Sequence, residues 1–292
     1  MPLFTPEFVA RCEAYDQAAR TAWGSRFLGR KIDRRLLAGT QATSTNDYAT
    51  GDEYRYIDWN RCARLDELVS RRFEGREDQQ VHLLVDCSAS MQEPDSPKFQ
   101  RARELAAALG YLALASGATL RVMSFAADVV LESGPIYGRS QLPKLARYLE
   151  GLQVVPGKAP FLGAMAASAA KCQPGALAVI VSDFLGGTSL GLALAEFRRR
   201  QVQSFLVQLF DPADADPALR GGVLLVDSET GEELATELDP HDLAHYREVF
   251  REFREGMRTY CVRTSNGLAS LSTDLSLDRS IETILRTAAR LE

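Results

Sequence analysis

Asp86, Ser88 and Ser90 fall at alternate positions in VHLLVDCSASM, residues 81–91, and a second carboxylate, Asp183, closes the apolar run ALAVIVSDF at 176–184. One carboxylate and two hydroxyls from a single turn, joined by a carboxylate from another turn, are hard oxygen donors. They suit Mg²⁺ or Mn²⁺ in six-fold geometry, with water at the open positions. The set has too few dedicated ligands to enclose an ion. An open position leaves room for a partner's carboxylate, which is chemistry for adhesion rather than turnover. In a metal-free reading the serines cap the following turns and Asp86 accepts hydrogen bonds from backbone amides.

The enzymatic alternative is a metal-dependent phosphatase or phosphotransferase with Asp86 as nucleophile. That chemistry calls for a second acid two residues on, and Ser88 stands there instead. His241 and His245 are four apart on one side of a helix, but HDLAH lacks the glutamate of a zinc-protease motif, so they read as a surface pair. Cys87 points opposite to Asp86 and Ser88 if the strand continues, and reads as a buried thiol rather than a nucleophile. The expectation is a protein without enzymatic activity.

Strands have to position these side chains. Apolar runs precede both Asp86 and Asp183 without polar alternation, so both read as buried strands ending on a carboxylate. Ser96 and Pro97 open a helix with Phe99, Ala102, Leu105, Ala106, Leu109, Leu112 and Ala113 on its face, ending near Gly117. Strands at 119–125 and 128–132 follow, then a helix from Ser140 to Leu149 and a small-residue helix from Phe161 to about Cys172. A capped helix from Thr188 or Ser189 to Arg200 leads to a strand at 204–211. Gly221 to Glu237 reads as a hairpin turning at Glu229-Thr230-Gly231-Glu232. A helix from Asp239 to about Met257, a short strand from Tyr260 to Thr264 and a last helix from Ser280 to Leu291 complete the pattern.

This alternation implies an α/β fold, a mostly parallel sheet with helices on both faces. Such sheets bind ligands where strand ends meet the following helices, at a switch in strand order. Asp86 and Asp183 both stand at strand ends of that kind.

Upstream, Pro6 to about Arg20 has helical spacing. Arg20, Arg26, Arg30, Lys31, Arg34 and Arg35 then gather against Asp33; without aromatic interleaving they read as a solvated or acid-paired surface, not a nucleic-acid site. Residues 39–51 are a loop by composition. In residues 51–79, Tyr54, Tyr56, Ile57 and Trp59 are anchors, Arg55, Asp58, Arg61, Arg64 and Asp66 form a paired network, and Val69, Arg71 and Phe73 alternate as in a strand. The chain thus divides into an N-terminal segment, 1–78, packed on a main domain, 79–292, with the hairpin inserted at about 221–238.

Of 292 residues 46% are hydrophobic, enough for a sizeable core, and a net charge of -5 gives no global attraction for nucleic acid or an acidic membrane. Five scattered cysteines without a C-x-x-C pair point to reduced thiols. The N-terminus lacks a signal-peptide pattern, and the longest apolar run, around Leu105 to Ala115, is short of the ~20 residues that span a bilayer. A cytoplasmic protein with no membrane anchor in this chain is expected.

D-x-S-x-S at Asp86, Ser88 and Ser90 resembles the metal-ion-dependent adhesion motif of von Willebrand factor A domains. Gly51-Asp52, Arg55, Ile57-Asp58-Trp59, Ala63-Arg64, Asp78, Ser182-Asp183-Phe184 and the Asp227 to Gly231 segment resemble the bacterial domain-of-unknown-function family fifty-eight, over about residues 25–290. The resemblance implies a von Willebrand A-like (Rossmann-like) sheet with an N-terminal helical and extended segment, and a metal site of Asp86, Ser88, Ser90 and Asp183. It also implies a non-enzymatic interaction module, an adaptor or co-chaperone of a MoxR-type AAA+ ATPase. In the family pattern a second-loop threonine ligates the metal; aligning GKAPFLGAM with Gly-x-Thr-x-Leu places Ala159 there. That hydroxyl is missing, so a scaffold with a degenerate, metal-free site is the second alternative.

Overall fold

Largely apolar runs at 81–85, broken only by His82, and at 177–181 become the two central strands of a seven-stranded sheet, because a strand covered by helices on both faces has no solvent-facing side. The computed structural model describes residues 3–19, 44–47, 62, 69–72, 79–92, 96–126, 129–155, 161–186 and 190–290. The chain forms two compact units, one of Met1–Leu28 with Gln79–Glu292, the other Gly29–Asp78.

In the large unit the strands are β3 (Gln80–Asp86), β4 (Thr119–Ala126), β5 (Val129–Glu132), β6 (Ile136–Tyr137), β7 (Leu177–Ser182), β8 (Gln203–Phe210) and β11 (Gly267–Ser272). They lie in the order β11-β8-β7-β3-β4-β5, with β6 also paired to β4. β3, β4, β7, β8 and β11 are parallel, while β5 and β6 pair antiparallel to β4. The chain winds outward from β3 through β4 to β5, then returns to β7 and winds the other way. This is a doubly wound, Rossmann-like α/β sheet with helices on both faces, and its topological switch point lies between β3 and β7.

Alternate strand residues feed two cores. Leu83, Val85, Val179, Val181, Phe205 and Val207 face α2 (Lys98–Ala115), α3 (Leu142–Glu150) and α8 (Leu277–Ala289). Leu84, Ala178, Ile180 and Leu206 face α4 (Phe161–Lys171), α5 (Leu190–Arg199) and α7 (Pro240–Arg263). α2 packs so closely on α3 that a Cβ at Gly110 would stand 2.8 Å from Leu145 Cδ2. α1 (Pro6–Ala14), capped by Thr5 with Pro6 at its first position, is held on the large unit: Leu3 N–H donates to Glu150 at 2.9 Å and Tyr111 donates to Glu13 at 3.3 Å. Among the described residues, no helix is long and apolar enough to cross a membrane.

Three expectations need correction. Residues 44–47, read as loop, form β1 (Ser44–Asp47), paired antiparallel with β2 (Val69–Arg72) in the small unit. Tyr260 to Thr264 is not a strand but the end of α7, because Cys261 continues the buried stripe of Leu243, Phe250 and Met257 at helical spacing. The strand is β11, whose small residues Gly267, Ala269 and Ser270 carry weak β-propensity. Ser96 and Pro97 precede α2 without capping it by the usual side-chain bond to N2 or N3; the helix begins at Lys98, whose amide reaches Ser96 Oγ at 3.4 Å. The anchors and paired charges expected between 54 and 66, and the cap at Thr188 or Ser189, lie outside the described residues.

Candidate functional site

β3 ends on Asp86 and β7 on Ser182, and the two strands pair in register from Val81 with Leu177 to Val85 with Val181. Their exits therefore open side by side at the switch point. The Asp86 carboxylate is buried and held from two directions: Oδ1 accepts from the Ser88 amide at 2.9 Å, and Oδ2 accepts from the Ser182 hydroxyl at 2.5 Å. Ser182 Oγ in turn accepts from the Phe184 amide at 2.9 Å. Phe184 has φ of 59°, a left-handed conformation that costs a non-glycine residue about 1–2 kcal/mol. Its buried ring packs edge-on to Phe161, which packs edge-on to Phe125, and this burial holds the turn that presents Asp183.

The Ser88 and Ser90 hydroxyls lie 3.1 Å apart. Asp86, Ser88, Ser90 and Asp183 line one open cleft of about 390 Å³, together with Phe161, Ser182 and the hairpin residue Glu229. All four residues expected from the sequence are thus brought together, while Ala159 lies outside the described residues. His241 and His245 are exposed and line no part of the cleft. Cys87 is buried, its amide donates to Phe125 O at 2.9 Å, and its thiol is pushed up to about 12 by burial and then by the Asp86 charge. A thiol so raised stays protonated at neutral pH and is a poor nucleophile.

Sequence reasoning missed Lys98. It is the first residue of α2, 0% exposed, with Nζ 3.1 Å from Asp183 Oδ2 and 3.2 Å from Asp214 Oδ2. Asp183 Oδ1 accepts from the Leu185 amide at 3.1 Å, so both of its oxygens are engaged. Asp214 sits in α6 (Pro212–Ala215), where its carboxylate also accepts from the Asp211 amide at 2.8 Å in a capping box. The ammonium thus ties the start of α2 to the exits of β7 and β8. One signal was available: Lys98 falls on the stripe of Ala102, Leu105 and Leu109, where a cation is out of place unless it is paired.

The charges respond accordingly. Burial first, then the like charge of Asp183, pushes Asp86 well above the usual carboxylate range, against the bonds from Ser182 and Ser88. Burial alone would lower Lys98, but the facing Asp183 and Asp214 carboxylates outweigh it and the net direction is up.

The family profile described as "Protein of unknown function DUF58" matches residues 44–256. The chain belongs to the DUF58 family. This DUF58 chain is 26% identical over 245 residues to an uncharacterized protein of Mycobacterium tuberculosis, spanning 82% of this chain and 76% of the relative. An uncharacterized protein of Mycobacterium bovis matches at the same identity and coverage. Among solved structures, the conserved hypothetical protein BatB from Bacteroides thetaiotaomicron superposes with a TM-score of 0.43 at 14% identity, covering 73% of this chain and 98% of that one. An aerotolerance-related membrane protein from Bacteroides fragilis gives 0.41 at 15% identity, covering 73% and 99%.

Proposed function

We propose that this DUF58 chain is a non-enzymatic protein-docking module whose strand-end cleft takes a partner's carboxylate through Mg²⁺ or Mn²⁺. The observation that carries this reading is a charge imbalance. Asp86, Asp183 and Glu229 line the cleft and Asp214 stands behind it, while among the described residues their ion pairs are with Lys98 alone. Four carboxylates against one ammonium, beside two hydroxyls 3.1 Å apart, form a hard-oxygen, anionic setting that fits a small divalent cation. Asp86, Ser88, Ser90 and Asp183 are its donors; each carboxylate oxygen of the two aspartates accepts one hydrogen bond and keeps a lone pair for the ion or its water. A bound cation would supply a Lewis-acidic anchor for an incoming carboxylate and would counter the upward push of burial and Asp183 on Asp86.

Two further features support docking over turnover. Lys98, the cation a phosphoryl-transfer site would need in its cleft, is enclosed between two carboxylates. Beside the cleft, the hairpin of β9 (Gly221–Val226) and β10 (Glu233–Leu238) exposes apolar side chains on both faces, Leu224 and Val226 on one and the cross-strand pair Leu225 and Leu234 on the other, groups of the kind protein partners cover. Family resemblance makes a MoxR-type AAA+ ATPase the partner of choice. Capture of a purified MoxR-type AAA+ ATPase is expected in Mg²⁺ and is expected to be lost in EDTA and with Asp86→Ala/Ser88→Ala. Capture unchanged by the double substitution would remove the cleft as the docking face.

A further inference from the structure

Glu229 stands at the hairpin tip and lines the cleft together with Val226, Asp227 and Ser228. Asp227 and Ser228 before it and Gly231 and Glu232 after it are exposed, whereas Glu229 and Thr230 are half-buried. The tip is built to hold this placement. Asp227 Oδ1 accepts from the amides of Glu229 and Thr230, both at 2.8 Å, Gly231 donates to Asp227 O at 2.8 Å, and Gly231 turns the chain with φ of 71°. Glu229 Oε1 then accepts from the Ser90 amide at 3.1 Å, across 139 residues of sequence. Its other oxygen makes no hydrogen bond among the described residues, and it stands at the mouth of a site that already carries Asp86 and Asp183.

The Ser90 amide holds the Glu229 carboxylate in a cleft that also carries Asp86 and Asp183, so a cation in that space would meet anionic oxygen from the hairpin as well as from the strand ends. We propose that Glu229 is an in-cis member of the oxygen donor set. The hairpin delivers its carboxylate beside Ser90, where it supplies a further anionic donor. The same carboxylate occupies the position a partner's acidic side chain must take, so the hairpin tip has to yield before docking. This inference rests on the metal reading above and adds to it a ligand from outside the D-x-S-x-S turn.

The test uses Mn²⁺ alone with the full chain, read by calorimetry and by water-proton relaxation, for wild type, Glu229→Gln and Glu229→Ala. Glutamine keeps an acceptor for the Ser90 amide, so it removes the anionic ligand while leaving the hairpin latched. The expected result is a rise in Kd of about tenfold or more in both variants, the size of loss seen when groups that support a metal site are removed. In Glu229→Ala the bound ion should also show a higher relaxivity, as water enters the vacated position. Wild-type affinity and relaxivity in both variants would overturn the inference while leaving the metal site standing. Absence of Mn²⁺ binding by the wild type would overturn both.

Discussion

Replacing Lys98 with alanine is expected to lower the unfolding free energy by about 3–5 kcal/mol, the usual cost of removing one partner from a buried ion pair. The substitution leaves Asp183 and Asp214 facing each other without the ammonium that lies 3.1 and 3.2 Å from them. Lys98→Met separates charge from packing. Methionine keeps most of the apolar stem at a position that is 0% exposed, so most of the loss should persist in Lys98→Met if charge is what matters. Urea unfolding followed by far-UV circular dichroism reads both variants. A Lys98→Met protein as stable as the wild type would show that the ammonium does not hold these strand exits together.

A second large effect concerns His82, in the middle of β3. It is fully buried, pairs across the sheet with Arg121 and Ala178, and neither ring nitrogen has a hydrogen-bond partner among the described residues. Burial first, and the Arg121 charge second, lower it from 6.5 to about 4. Between these values the unfolded chain binds the proton and the folded chain does not, so stability rises with pH. The contribution is complete above about pH 6.5 and is lost as pH falls through about 4, a span of about 3 kcal/mol at 1.36 kcal/mol for each pH unit. Asp86, whose folded form is shifted upward, contributes in the opposite sense. The difference between wild type and His82→Leu cancels that second contribution. The wild type should lose stability relative to His82→Leu on going from pH 7 to pH 4.5, and parallel pH profiles would contradict the neutral, enclosed imidazole.

What the sequence made legible follows from how each element is buried. β3 and β7 could be read because they are covered on both faces, so apolar residues run up to Asp86 and Ser182 with His82 the one interruption in β3. The hairpin could be read from its turn residues. β11 could not, since GLASLS is small and only half apolar and gains its place by pairing with β8 from Gly267 to Ser272. β1 is four polar residues, STND, whose strand character comes from its partner rather than from any pattern of its own.

The site divides in the same way. Asp86, Ser88 and Ser90 share one turn, and their alternation is a local signal. Lys98 meets Asp183 across 85 residues and Glu229 meets Ser90 across 139, and no local pattern records contacts that exist only after the sheet has formed. The two groups that set the charge of the cleft and cover its mouth were therefore the two that composition and spacing left unassigned.

If the Asp86, Ser88 and Ser90 turn holds a divalent cation, isothermal titration of the full chain with Mg²⁺ and Mn²⁺ should show a single saturable site in the wild type that is lost in Asp86→Ala, with both proteins folded by circular dichroism. No metal-dependent heat in the wild type, or equal heat in both proteins, would contradict it.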